Sequence, residues 1–360
     1  MNIYQIVSSL SYGDAIGNEA VAISEVIQNM GYDTKIYASY VDPRISADAD
    51  YIEKINVQKD DIVIYHKAIG TYVTDIFAEL GCHRIMLYHN ITPAEFMQAY
   101  NKKTTKLLVQ GRVQLEAIKD KVEYCLSTSE YNKKELITYG YSKEHIDVLP
   151  LIIKFEDYKK QPNQEIIERY KDGCTNILFV GRLSPNKKQE DVIKAFYYYK
   201  TQIDSSARLF LVGSYGGTEK YYAKLRGFVA DLKLKDVYFT GHIPFQDILA
   251  YYKIADVFLC MSEHEGFCVP LVESMYFNVP VIAYDAAAIS GTLNGSGILI
   301  KEKDYAQIAK NIHDLVKDNR LRQEVIIKQK QVLEEYSEKR TKELFKEYIT
   351  KFINHCNRGQ

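Results

Sequence analysis

Twelve short runs, apolar on both faces and separated by stretches of helical length, constrain this chain more than any other feature. In the first half they are NIYQIVS (2–8), TKIYAS (34–39), DIVIYH (61–66), RIMLYH (84–89), EYCLST (123–128) and IDVLP (146–150). In the second half they are NILFVG (176–181), ARLFLVG (207–213), DVYFTG (236–241), ADVFLCM (255–261), PVIAYD (280–285) and GILI (297–300). A strand wet on one face alternates polar and apolar residues, so runs of this kind suit parallel strands covered by helices on both sides. The reading is α/β, with two doubly wound domains. A length of 360 residues exceeds what one core usually supports and agrees with two.

The polar stretch KFEDYKKQPNQEIIERYKDGCT divides the halves. This gives one domain over 1–160 and a second over 170–338. The chain from 304 onward is charged, helix-rich and without a further strand, so 339–360 is expected to be a helix crossing back to the first domain. Ligands of such folds bind at the C-terminal ends of the strands, and the two sheet edges are expected to face each other across a cleft.

A formal net charge of -1 removes any global electrostatic pull toward nucleic acid. The opening MNIYQIVSSLSYGD has neither the basic flank nor the long apolar core of a signal peptide, and no apolar run approaches the ~18 residues of a membrane span. A cytoplasmic protein is expected. The six cysteines form no CxxC pair, which suits reduced, buried thiols rather than a disulfide frame or a zinc site. Cys82, His83 and His89 flank one strand whose side chains alternate between faces, so no metal site is expected from them.

The most informative stretch is EHEGFCVPLVES, from Glu263 to Ser274. Gly266 and Pro270 argue against one continuous helix. A loop carrying Glu265, followed by a helix that opens near Pro270 and holds Glu273 in its first turns, fits better. The N–H groups of Gly266, Phe267, Cys268, Val269 and Leu271 would then bracket an anion such as a nucleoside diphosphate, with the two carboxylates accepting from sugar hydroxyls. Arg182 and Lys187 follow NILFVG, where cations can reach an anion at the sheet edge. Gly13 permits a tight turn after the first strand and Asp14 can cap the helix that follows, although neither GxGxxG nor a Walker A loop is present. His89 ends its strand at the same kind of edge.

Together these motifs resemble the GT-B glycosyltransferases of retaining family 4, also called group 1, whose two domains are Rossmann-like. EGFCVPLVES is similar to that family's E-G-F-G-x-P-x-x-E signature, and FVGRLSPNKKQED to its G-R-x-x-x-x-K segment. The openings SYGDAIGNEA and YHNITP resemble a subgroup from bacterial polysaccharide and lipopolysaccharide gene sets. Two departures stand out: the family often has Gly where this chain has Cys268, and Gly where it has Lys188.

The resemblance implies a nucleotide-sugar donor held by the second domain and an acceptor on the side of the first. Arg182 and Lys187 would neutralise the diphosphate, Glu265 would touch the transferred sugar, and Glu273 the ribose. His242 and Ile243 would lie against the base. Gly13 and Asp14 would approach phosphate and acceptor, and His89 the donor sugar. The implied reaction moves a hexose or deoxyhexose to a hydroxyl of a glycan or lipid-linked acceptor with retention, needing neither metal nor other cofactor. Alternative readings are a nucleotide-sugar epimerase on a similar fold and a non-catalytic nucleotide-sugar-binding protein. Finally, a helix expected within 94–121 carries Lys102, Lys103 and Lys106, which suit peripheral docking at the anionic inner face of the cell membrane.

Overall fold

The computed structural model describes residues 1–11, 13–45 and 49–358. It divides into two compact units: Met1–Ala94, Lys103–Lys154 and Tyr336–Gln360 form the first, and Glu95–Lys102 and Phe155–Glu335 the second. The first is thus built from three separated pieces of chain. Residues 95–102, which the sequence leaves in the first half, pack with the second unit.

The first unit has, among the described residues, a parallel sheet of β1 (Ile3–Val7), β2 (Ile36–Ala38), β3 (Ala49–Tyr51), β4 (Ile62–Lys67), β5 (His83–Tyr88), β6 (Tyr124–Ser127) and β7 (Ile146–Val148). Their order is β3-β2-β1-β4-β5-β6-β7. Ile62, Ile64, Ile85 and Leu87 point from the central strands onto Ile23, Val26 and Ile27 of helix Ala15–Asn29 and onto Phe345, Ile349 and Phe352 of helix Glu338–Arg358. Most of these are inaccessible to solvent, and each such side chain contributes about 1.5–3 kcal/mol by burial. That packing is why the last helix belongs to the unit that begins the chain.

The second unit has β8 (Asn176–Val180), β9 (Arg208–Val212), β10 (Val237–Gly241), β11 (Val257–Cys260), β12 (Val281–Tyr284) and β13 (Ile298–Ile300). They are all parallel, in the order β10-β9-β8-β11-β12-β13. Its core sets Ile177, Phe179, Leu209 and Leu211 against Val192, Phe196 and Tyr199 of helix Gln189–Gln202.

All twelve runs are strands. The thirteenth, β3, reads ADY at a sheet edge and has no apolar run to announce it. The helix expected within 94–121 is Lys102–Ala117, preceded by a short helix, Glu95–Gln98. No helix among the described residues is long and apolar enough to cross a membrane.

Strand order reverses between β1 and β4 in the first unit and between β8 and β11 in the second. Crossovers leave such a pair in opposite directions, opening a crevice beyond the strands' carboxyl ends. The loops at these two points carry most of the residues singled out in the sequence.

Candidate active site

In the second unit, the loops after β8 and β11 meet at the reversal point. Gly213 at the end of β9 lets them form: a Cβ there would stand 2.1 Å from the carbonyl oxygen of Gly181, which follows β8. No other residue fits that approach. Beyond Gly181 the chain enters a single tight turn, Pro185–Lys187, that aims the Lys187 side chain back at the crevice.

Lys187 Nζ lies 2.6 Å from both carboxylate oxygens of Glu265, which is 7% exposed. Burial alone pulls the Lys187 ammonium toward neutrality, but the adjacent carboxylate outweighs it and holds the pKa above the ordinary value. The loops beneath the pair are tied together. Asn186 Nδ2 donates to the His264 carbonyl at 3.0 Å, and the Glu263 N–H donates to the Asn186 carbonyl at 2.8 Å. Lys188 and Lys303 both pair with Glu263, at 3.2 and 2.5 Å, and Lys303 also pairs with Asp191 at 2.6 Å. The sequence singled out neither Glu263 nor Lys303 as a support, because the residues between them are far apart along the chain.

Both departures from the family's glycines fall on left-handed backbone. Lys188 has φ +50° and Cys268 φ +74°. The turn geometry demands glycine-like conformation at both positions, and this chain adopts it with side chains at roughly 1–2 kcal/mol each.

Helix Val269–Tyr276 begins after Cys268 with Pro270 in its first turn, as the sequence implies, but the Leu271 N–H is taken by the Cys268 carbonyl at 3.0 Å and is not free for an anion. The Phe267 carbonyl is fixed by the Thr292 hydroxyl at 2.5 Å. Glu273 lies in the helix, where Tyr158 and Tyr252 hydroxyls donate to its two oxygens at 2.9 and 2.7 Å. Burial raises its pKa, and the two tyrosines act against that. The tyrosines hold the carboxylate in one orientation.

Arg182 is exposed and donates to the Gly216 carbonyl. His242 and Ile243 follow β10, two strands from the reversal point, with His242 exposed.

In the first unit, Gly13 has φ +76° and Asp14 caps helix Ala15–Asn29, accepting from the Gly17 N–H at 3.2 Å. Gln5 Nε2 donates to the Ala20 carbonyl and to Ser24 Oγ, both at 2.8 Å, so Gln5 Oε1 accepts from His66 Nε2 at 2.9 Å. His66 Nδ1 is then the acceptor for His89 Nε2 at 3.0 Å, which leaves His89 Nδ1 facing Glu19 Oε2 at 3.4 Å. Burial pushes Glu19 up to about 8, opposed by the Ile152 N–H, and pushes His89 down to about 3. Burial thus favours Glu19 as the acid and both rings as neutral, and among the described residues no hydrogen bond of ordinary geometry reaches the Glu19 oxygens. His89 Nε2 is thus engaged by His66, while its Nδ1 faces Glu19 without a hydrogen bond. Glu19 and His66 escaped the sequence reading because nothing local marks them as partners of a histidine many residues away.

Cys82, His83 and His89 do not gather. Among the described residues, His83 sits with Glu123 and Cys356, whereas His89 sits with Glu19 and His66.

Residues 161–332 match the family described as glycosyl transferases group 1. An uncharacterized glycosyltransferase of Methanocaldococcus jannaschii is 24% identical over 258 residues, which cover 70% of this chain and 64% of its own. The O-antigen chain mannosyltransferase RfbU of Salmonella typhimurium is 27% identical over 233 residues, covering 63% of this chain and 60% of its own. The matches therefore span less than two thirds of these relatives' lengths. Among solved structures, HepE of Anabaena in complex with UDP aligns with a TM-score of 0.76 over 98% of this chain and 100% of that one, at 17% identity. The likeness is one of fold, the two-unit α/β architecture of the GT-B class. The likeness to the group 1 glycosyl transferases thus lies in residues 161–332, within the second unit.

Proposed function

We propose that the protein transfers a hexose or deoxyhexose from a nucleoside-diphosphate sugar to a hydroxyl of a glycan or lipid-linked sugar, in the building of a surface polysaccharide. The observation that carries this is the Lys187–Glu265 pair, set beside a helix N-terminus at the reversal point of the second sheet. A departing diphosphate needs cations and N–H donors, and a sugar that gains positive character needs a nearby carboxylate. The pair offers both within one hydrogen-bonded unit. The O-antigen role in RfbU's name and the UDP bound in HepE support the class of substrate.

In this reading Lys187 and Arg182 take the growing charge of the leaving diphosphate, with the N-terminal end of helix Val269–Tyr276 adding its dipole. That supplies the charge stabilisation which a metal gives in other transferases, so transfer proceeds without one. Glu265 accepts from hydroxyls of the sugar and Glu273 from the ribose. The sugar is transferred with retention, by substitution on one face. The protein works in the cytoplasm, at the inner face of the membrane that holds its acceptor.

A panel of nucleotide sugars, each assayed for nucleotide release with and without lipid-linked acceptors, tests the reading. Acceptor-dependent release from one sugar class, undiminished by a chelator, is the expected result. NMR of the product's anomeric centre checks retention. Turnover without any acceptor would instead favour an epimerase or hydrolase.

A further inference from the structure

Two buried thiols bracket the loop that carries Glu265. Cys260 ends β11 at 1% exposure and Cys268 precedes the helix at 8%. Their sulfurs and a Glu265 carboxylate oxygen all lie within 4.8 Å of one another. Hydrogen bonding from Cys268, opposed by burial, holds the Cys260 thiol below its usual range, and its Sγ also contacts Ser262 Oγ at 3.4 Å. The Cys260 hydrogen bond and burial hold the Cys268 thiol well above its usual range, opposed by the Lys187 cation that lies 2.6 Å from Glu265.

The second sulfur occupies an unusual position. Cys268 sits at φ +74°, where glycine would be unstrained and would serve the turn equally well. A side chain kept at that position contributes something other than backbone shape, and what this one contributes is a sulfur within reach of Cys260.

We propose that Cys260 and Cys268 form a peroxide-sensitive dithiol, closing to a disulfide that switches the second unit's site off. Its effect on activity rests on the donor-site reading above, whereas the chemistry of the pair does not. The Cys260 thiolate attacks one oxygen of hydrogen peroxide: an S–O bond forms, the O–O bond breaks, and the hydroxide released takes a proton to become water. Cys268 then attacks the sulfenic sulfur. The S–S bond forms, the S–O bond breaks, and the oxygen leaves as a second water with the Cys268 proton. Two thiols are oxidised by two electrons and one peroxide is reduced to two waters. A disulfide needs its sulfurs about 2.05 Å apart. Closure therefore tightens the seven residues from Met261 to Phe267, displacing Glu265 from Lys187.

The test is peptide mapping of the reduced protein after graded hydrogen peroxide, read beside nucleotide-release activity. The expected product is a peptide cross-linked through Cys260 and Cys268 that dithiothreitol reverses, with activity lost and regained in proportion to it. UDP or GDP at saturation slows its formation. Cys260→Ala should keep basal activity and lose the reversible inactivation. Oxygen addition at either cysteine without a cross-link overturns the dithiol, whatever the enzyme's activity. A cross-link that forms with transfer and nucleotide binding intact overturns the switch and leaves the donor-site reading standing.

Discussion

Lys187 Nζ makes equal 2.6 Å contacts to both oxygens of Glu265, so the site's central cation and carboxylate neutralise each other in the absence of substrate. Such pairing lets the loop fold without an uncompensated buried charge. In the proposed reaction these two charges separate, one beside the diphosphate and one beside the sugar.

Lys187→Ala should reduce transfer roughly a hundredfold, since losing a contact to a developing charge costs about 3 kcal/mol. It should also lower the melting temperature, because Glu265 is left buried without its cation. The double variant Lys187→Met with Glu265→Gln removes both charges and should recover the fold but not the activity. Steady-state rates and thermal unfolding measured side by side separate the two effects. Near-wild-type turnover by Lys187→Ala would end the assignment.

Glu273 depends on its two tyrosines. Tyr252→Phe removes one donor to a charged acceptor, and the expected loss of stability is about 1.5–3 kcal/mol, with only a modest change in nucleotide affinity. Glu273→Ala should weaken nucleotide binding as well as stability. Urea unfolding and calorimetric titration with the nucleotide give the two numbers. If Glu273→Ala binds nucleotide as tightly as wild type, the carboxylate holds the tyrosines and nothing more.

Much of this was readable in the chain. Parallel strands buried on both faces must be apolar throughout, so each of the twelve runs was found, while β3, a polar edge of three residues, was not. Glu265, Lys187 and the helix at Val269 were readable because short-range rules govern loops and helix starts. The Tyr158–Glu273 and His66–His89 contacts were not, since they join side chains brought together only by the sheet order. The two left-handed positions lay between these cases. A glycine missing from a motif flags an altered turn, but only the backbone angle at Lys188 and Cys268 reveals that the turn is kept and the strain accepted.

The buried Glu19 makes the first unit sensitive to pH. Its folded pKa, about 8, lies above the 4.5 of the unfolded chain, so between these values the folded state keeps a proton that the unfolded state has lost. Stability from this group is full below pH 4.5 and declines as pH rises toward 8. His89 acts oppositely: pushed down from 6.5 to about 3, it contributes stability that is lost as pH falls below 6.5. Lys67, pushed down from 10.5 to about 7 by burial, adds a term that rises with pH above 7. The whole curve therefore mixes signs, and the difference between Glu19→Gln and wild type isolates the acid. That difference should move by about 2 kcal/mol in favour of the variant between pH 6.5 and 8. Unfolding midpoints at the two pH values measure it, and a constant difference would mean Glu19 ionises as an ordinary carboxyl.

The helix Lys102–Ala117 presents one exposed face that joins charge to apolar surface. Lys102, Lys103 and Lys106 are exposed, and Val109 and Val113 follow at 50% and 63% exposure. The 102, 106, 109, 113 spacing alternates four and three, which keeps these residues on one side of a helix. Anionic headgroups would pair with the lysines at the start while the valines enter the interface beyond them. Each lysine contributes on the order of 1 kcal/mol near such a surface, enough in total for weak, reversible docking. Co-sedimentation with vesicles should show binding to anionic but not neutral lipid, falling steeply as salt shortens the screening length to about 8 Å. Exchanging the three lysines for glutamate should abolish it, and Val109→Asp with Val113→Asp should weaken it even at low salt. Binding that ignores lipid charge, or that survives the lysine exchange, would leave this face an ordinary solvated helix.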